Sequence, residues 1–150
     1  MRVLIAGMTI LLIACSSAPS PPKTAESHPP PPPPRDESAQ LPLRGRLDSR
    51  VIADKLLGKP YLPGGTLADY QGYQLFLART DSAQQAAFLL LDFKKDLADA
   101  KYLAHMGGYF GMDGGKPIYV FAKGPLLAGV IGLPREEADR IAREFAARLR

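Results

Sequence analysis

From Pro134 onward the polar and apolar positions keep a helical rhythm. Ala138, Ile141, Ala142, Phe145 and Leu149 recur at three- and four-residue spacing and form one stripe, which predicts an amphipathic C-terminal helix. Pro134 suits the first turn, Glu136 and Glu137 complement the positive end of the helix, and Arg148 and Arg150 its negative end. Outside the stripe stand three acid–arginine pairs at i,i+4: Glu136 with Arg140, Asp139 with Arg143, and Glu144 with Arg148. A helix lying on a membrane would show a basic polar face and a bulkier apolar one, so this helix is expected to pack on a sheet.

Upstream, "PIYVF" and "LLAGVIG" bracket Lys123-Gly124, which predicts a hairpin with Pro125 at a strand's first position or on an outer edge. Gly129 and Gly132 carry no side chain, which would let a helix approach that strand closely. "TLADY" and "YQLFLAR" flank Gln71-Gly72 and predict a second hairpin, with "LPGGT" at 62–66 as a turn before it. Between the hairpins, Ser82 and Gln85 carry a capping-box signature. Ala83, Ala86, Leu90, Phe93 and Leu97 then recur at helical spacing, so a helix is expected over 83–93. The unbroken apolar run Phe88–Leu91 would also suit a buried strand. Asp96 or Asp99 can start another turn of helix toward His105. Asp48 or Ser49 can cap a short helix to Leu57, stopped by Gly58 and Pro60, with Val51, Ile52 and Leu56 facing the core. The order helix, two strands, helix, two strands, helix predicts an α+β fold. It is expected as a mostly antiparallel sheet of about four strands with helices packed on one face and the amphipathic helix at the C-terminus.

Composition divides the chain. Of fifteen prolines in 150 residues, ten fall between Pro19 and Pro42, while the stretch from Arg44 onward has ordinary globular composition. The expected organisation is a signal peptide at 1–14, a proline-rich disordered linker at 15–43 and a single α+β domain at 44–150. The linker lacks the apolar surface that would offset the entropy of ordering, and consecutive prolines prefer an extended, semi-rigid helix. At about 3.1 Å per residue the tract from Ser16 to Pro42 would reach roughly 80 Å. Its PxxP matches would also fit an aromatic-lined groove, but a run of prolines matches that pattern trivially. The formal charge of +4 is mild, and no block of Lys and Arg gathers on one face, so nucleic acid is not an expected partner.

The first fourteen residues open with Met1-Arg2, continue through the apolar stretch Val3–Ile13 and end on Ala14, the layout of a cleavable signal peptide. As a helix this apolar stretch reaches only about 16 Å, short of the ~30 Å hydrocarbon core. Leu12-Ile13-Ala14-Cys15 resembles the lipobox of bacterial lipoproteins. That resemblance implies a diacylglycerol joined to Cys15 by a thioether, cleavage before Cys15, and acylation of the new amino group. Because a second chain converts marginal membrane binding into stable anchoring, such a cysteine would tether the whole protein. Cys15 is also the only cysteine, with no disulfide partner in an oxidising compartment. Ser16-Ser17 lacks the aspartate that favours inner-membrane retention in enterobacterial lipoproteins, so the resemblance implies the outer membrane, facing the periplasm. Residues 106–139, "MGGYFGMDGGKPIYVFAKGPLLAGVIGLPREEAD", resemble C-terminal regions of uncharacterised bacterial exported proteins, and no activity comes with that resemblance.

The richest stretch for chemistry is "HMGGYFGMDGGK" at 105–116. It fails as a phosphate loop because Phe110 and Pro117 occupy the places of a glycine and a hydroxyl residue, and GxGxxG is absent. Gly114 and Gly115 more simply supply positive φ for a turn. His28 and His105 are the only histidines, so neither a metal site nor a cofactor is expected. Ser49 and Ser82 read as helix caps rather than nucleophiles, and Asp92 with Asp96, beside Lys94 and Lys95, as a solvated face. No catalytic residue is therefore assigned. The candidate binding surface is His105, Tyr109, Phe110, Asp113 and Lys116, with Tyr102 and Tyr119 nearby, gathered around one glycine-rich loop to meet an envelope protein or a glycan. The alternative is a periplasmic enzyme using carboxylate or tyrosine groups near that loop. Aromatics closing the core would give the same pattern.

Overall fold

The structure, a computed structural model, describes residue 33 and residues 35–150. The expected signal peptide, Cys15 and the proline tract up to residue 32 lie outside the described residues. Three strands come first: β1 (Arg46–Asp54), β2 (Pro63–Tyr70) and β3 (Tyr73–Arg79). Helix α1 (Ala83–Asp96) leads to β4 (Ala98–Leu103), β5 (Gly108–Asp113), β6 (Lys116–Lys123) and β7 (Leu126–Ile131), and α2 (Arg135–Arg148) closes the chain. Every strand pair is antiparallel, in the order β1-β2-β3-β7-β6-β5-β4. The α+β class, the antiparallel sheet and the C-terminal helix stand as expected, but the sheet has seven strands rather than about four.

The extra strands come from segments whose local signals point elsewhere. The helix expected from Asp48 is β1, whose residues Asp48–Asp54 run in register against β2. Leu56 is fully buried, whereas Val51 is 41% exposed and Ile52 only packs on the core margin. "LPGGT" is not a turn but the start of β2. A Cβ on Gly64 would stand 2.2 Å from the Ala53 carbonyl oxygen, so the glycine serves close backbone approach between β1 and β2. The helical turn expected after Asp96 is β4. Its regularity breaks between Ala98 and Lys101, where Asp99 takes a positive φ of 53°, a conformation aspartate tolerates better than most residues. The middle glycine-rich stretch supplies β5.

The two predicted hairpins and both longer helices form. Ser82 Oγ accepts from the Gln85 amide at 3.1 Å, and Gln85 Oε1 accepts from the Asp81 amide at 2.9 Å, so α1 starts where the capping residues place it. Of the expected pairs on α2, Asp139 meets Arg143 at 3.0 Å, while Arg140 pairs forward with Glu144 at 3.4 Å.

The helices do not share a face. Along β3, Leu75 and Leu77 point one way and Phe76 and Ala78 the other. Along β6, Tyr119 and Phe121 oppose Ile118 and Val120. One face packs against Ala138, Ala142 and Phe145 of α2, and the opposite face against Leu89, Leu90 and Phe93 of α1. Every residue of β7 is buried, so its six-residue apolar run needed cover on both sides. Gly129 makes room for an aromatic ring rather than a helix. It lies opposite Phe76 in the β3–β7 register, and a Cβ there would stand 2.4 Å from the Phe76 ring. Phe76 stacks in turn on Phe93, with centroids 6.0 Å apart, which couples α1 to the sheet centre.

The folded unit also begins earlier than residue 44. Ser38–Gln40 form a 3-10 turn, and Leu41 is fully buried on the α2 face. The Glu37 carboxylate bonds Arg79 and Gln40, its amide donates to Thr66 Oγ1 at 3.2 Å, and Tyr70 donates to the Pro42 carbonyl at 2.5 Å. A leucine and a paired carboxylate therefore fasten the end of the expected linker to the sheet.

Candidate functional site

The stretch 105–116 does not make one loop. His105 sits in the turn between β4 and β5, residues 108–113 are strand, and Gly114-Gly115 turn the chain at the far end of β5. His105 is thus separated from Asp113 and Lys116 by the length of a strand, about 17 Å at 3.4 Å per residue. Tyr109 and Phe110 point to opposite faces of the sheet. Phe110 packs with the α2 side, and Tyr109 with the α1 side, where Lys94 Nζ lies 5.2 Å from its ring centre. Tyr102 is exposed and tilts against Tyr109 at 5.4 Å. Lys116 is exposed at the start of β6. Of the five candidates, His105 and Asp113 therefore belong to separate clusters at opposite ends of β5, while Tyr109, Phe110 and Lys116 belong to neither.

At the first end, Asp139 of α2 gathers three partners. Its Oδ1 accepts from His105 Nε2 at 2.5 Å and from the Tyr119 hydroxyl at 2.7 Å, and its Oδ2 pairs with Arg143 Nε at 3.0 Å. Tyr119 is wholly buried, while the His105 side chain is 51% exposed. Burial alone would raise the Asp139 carboxyl, but the bonds from Tyr119 and His105 and the Arg143 charge outweigh it and hold it below the usual carboxylate range. Burial, and then the bond to Asp139, push the Tyr119 hydroxyl well above an ordinary tyrosine, so it stays a donor. Beside this group opens a cleft of about 360 Å³ lined by Leu103, His105, Arg135, Glu136, Asp139 and Arg143. Arg143 is committed to Asp139, and Arg135 is in no ion pair among the described residues. A free guanidinium beside a histidine suits a carboxylate or a hydrogen-bonding polar group on a partner.

At the second end, Lys59 is only 9% exposed and bonds Asp96 at 2.9 Å and Asp113 at 3.1 Å, with its Nζ 4.9 Å from the centre of the Phe93 ring. Tyr61 donates to the same Asp96 oxygen at 2.5 Å. Burial would lower the lysine, yet its two carboxylates raise it, so Lys59 is a fixed cation rather than a nucleophile. The Tyr61 and Lys59 bonds hold Asp96 below its ordinary value. This cluster ties the loop before β2 to the end of α1 and to the β5–β6 turn, and Asp113 belongs to it.

Asp96 lies on the exposed face expected of it but is also bonded by Lys59 and Tyr61, while Asp92 keeps to Lys95 at 2.7 Å. Lys59 and Tyr61 gave no signal because their partners stand far along the chain, and Arg135 gave none because only the fold sets it beside His105. Asp139 was legible only as a helix-surface partner of Arg143. No family model, no curated protein and no solved structure matches this chain.

Proposed function

We propose that this chain is a lipid-anchored lipoprotein of the bacterial envelope, held through Cys15 at the outer membrane facing the periplasm, whose folded unit is a binding or assembly-support module. The observation that carries this reading is the tetrad Leu12-Ile13-Ala14-Cys15 at the end of a short apolar stretch, followed by a proline spacer. The contact surface we assign is the cleft of His105, Arg135 and Arg143, in place of the single aromatic loop, and the partner is an envelope protein or glycan. Labelling with a radioactive fatty acid marks the wild type and spares Cys15→Ser; equal labelling of both overturns the anchor.

One observation favours a second reading, a periplasmic enzyme. The His105–Asp139 pair has the geometry of a base held by a carboxylate, and the histidine borders the cleft. A phenotype of the deletion strain separates the two. Binding predicts rescue by His105→Gln and failure of Arg135→Glu, and catalysis predicts the reverse.

A further inference from the structure

We propose that β1 is an interface between two copies of this chain, joined antiparallel edge to edge about a two-fold axis at Ser49, so that the two sheets continue into one. This inference is independent of the cleft and of the lipid anchor. β1 has nine residues, longer than a common strand of 5–6; its register slips between Arg46 and Asp48 and runs unbroken from Asp48 to Asp54, and it pairs only with β2, which leaves the other side of its backbone ladder open. The opposite edge, β4, has six residues and is interrupted at Asp99, a device that blunts an edge. β1 contains no proline. Leu47, which has no partner on β2, is 72% exposed, and Val51 is 41% exposed.

The choice of a second copy rests on self-complementarity. With Ser49 facing Ser49, Asp48 of each copy meets Arg50 of the other within the regular part of the strand. A shift by two residues in one direction sets Asp48 on Asp48. In the other direction it sets Arg50 on Arg50. Like charges directly opposite one another are destabilising. A shift by one is excluded, because antiparallel partners must both aim their amides into the shared ladder. Asp48 moreover stands opposite Asp69 on β2 and is in no ion pair among the described residues. Arg50 bonds Asp69 at 2.5 Å through one terminal nitrogen, leaving the rest of its fork for Asp48 of the second copy.

The test uses the full-length chain in mild detergent, with mass measured by light scattering and folding checked by thermal melting. The wild type is expected as a dimer. Asp48→Arg and Arg50→Asp each put two like pairs in the interface and should weaken dimerisation about tenfold or more. The double variant restores opposite pairs across the axis, keeps a cation opposite Asp69 within each copy, and should recover the dimer. In a Cys15→Ser background, Ser49→Cys should oxidise to a disulfide-linked dimer, and Ala53→Cys should not. A protein that stays monomeric to roughly 100 μM, a dimer indifferent to Asp48→Arg, a double variant that remains as weak as the singles, or cross-links extending beyond dimers would each overturn the proposal.

Discussion

Asp139→Ala should cost stability chiefly through a residue it does not resemble. The carboxylate is the acceptor for the Tyr119 hydroxyl at 2.7 Å, and Tyr119 is wholly buried beneath α2. With Asp139 gone, that hydroxyl keeps no other bonded acceptor among the described residues, and a buried unsatisfied donor costs about 1–3 kcal/mol. The two ion partners add little, since the Arg143 and His105 side chains are 60% and 51% exposed and water screens them. The expected loss is therefore about 2 kcal/mol, a fall in melting temperature of roughly 6–12 °C for a domain of this size. Urea unfolding of the single and double variants provides the assay. Tyr119→Phe alone removes one hydrogen bond and should cost about 1 kcal/mol, but in the Asp139→Ala background it removes the stranded hydroxyl and should cost nothing or restore stability. Asp139→Asn keeps an acceptor and should fall between. If Tyr119→Phe proves equally harmful in both backgrounds, the two residues are not coupled and the account of this cluster fails.

Three further outcomes follow from the packing. Glu37, Asp96 and Asp139 all have carboxyls held below their ordinary values, the first by its bonds to Arg79. Their contribution should be complete above about pH 5 and should fade as pH falls through the lowered folded values, visible as a drop in urea midpoint on acidification; a midpoint flat down to pH 2 would contradict it. Leu41→Ala should cost about 2–5 kcal/mol, and removal of residues 36–43 more, because Leu41 is fully buried on the α2 face; a variant lacking that segment with an unchanged melt would place the domain start at residue 44 after all. Gly129→Ala puts a methyl 2.4 Å from both the Phe76 ring and the Tyr119 carbonyl, and should destabilise by about 1–3 kcal/mol through displacement of the Phe76–Phe93 stack; near-ultraviolet circular dichroism that is unchanged would refute it.

What the amino-acid order determined by itself were the elements whose cause lies within a few residues. Ser82 meets the Gln85 amide one turn away, Gly72 and Gly124 close hairpins by their own backbone freedom, and the α2 stripe repeats on a single helix. Tertiary structure decided wherever the cause lay across the fold. Gly64 is a strand residue because Ala53 crowds it, Asp48 and Ser49 pair with β2 instead of capping a helix, and β7 draws a helix to each face because both its faces are apolar. The candidate surface divided for the same reason. Residues 105–116 are adjacent in sequence, but an extended chain carries neighbours apart at more than 3 Å per residue and turns alternate side chains to opposite faces. Asp139 and Asp113 find Tyr119 and Lys59 only after the sheet has brought distant segments together, and periodicity contains no record of a partner that far away.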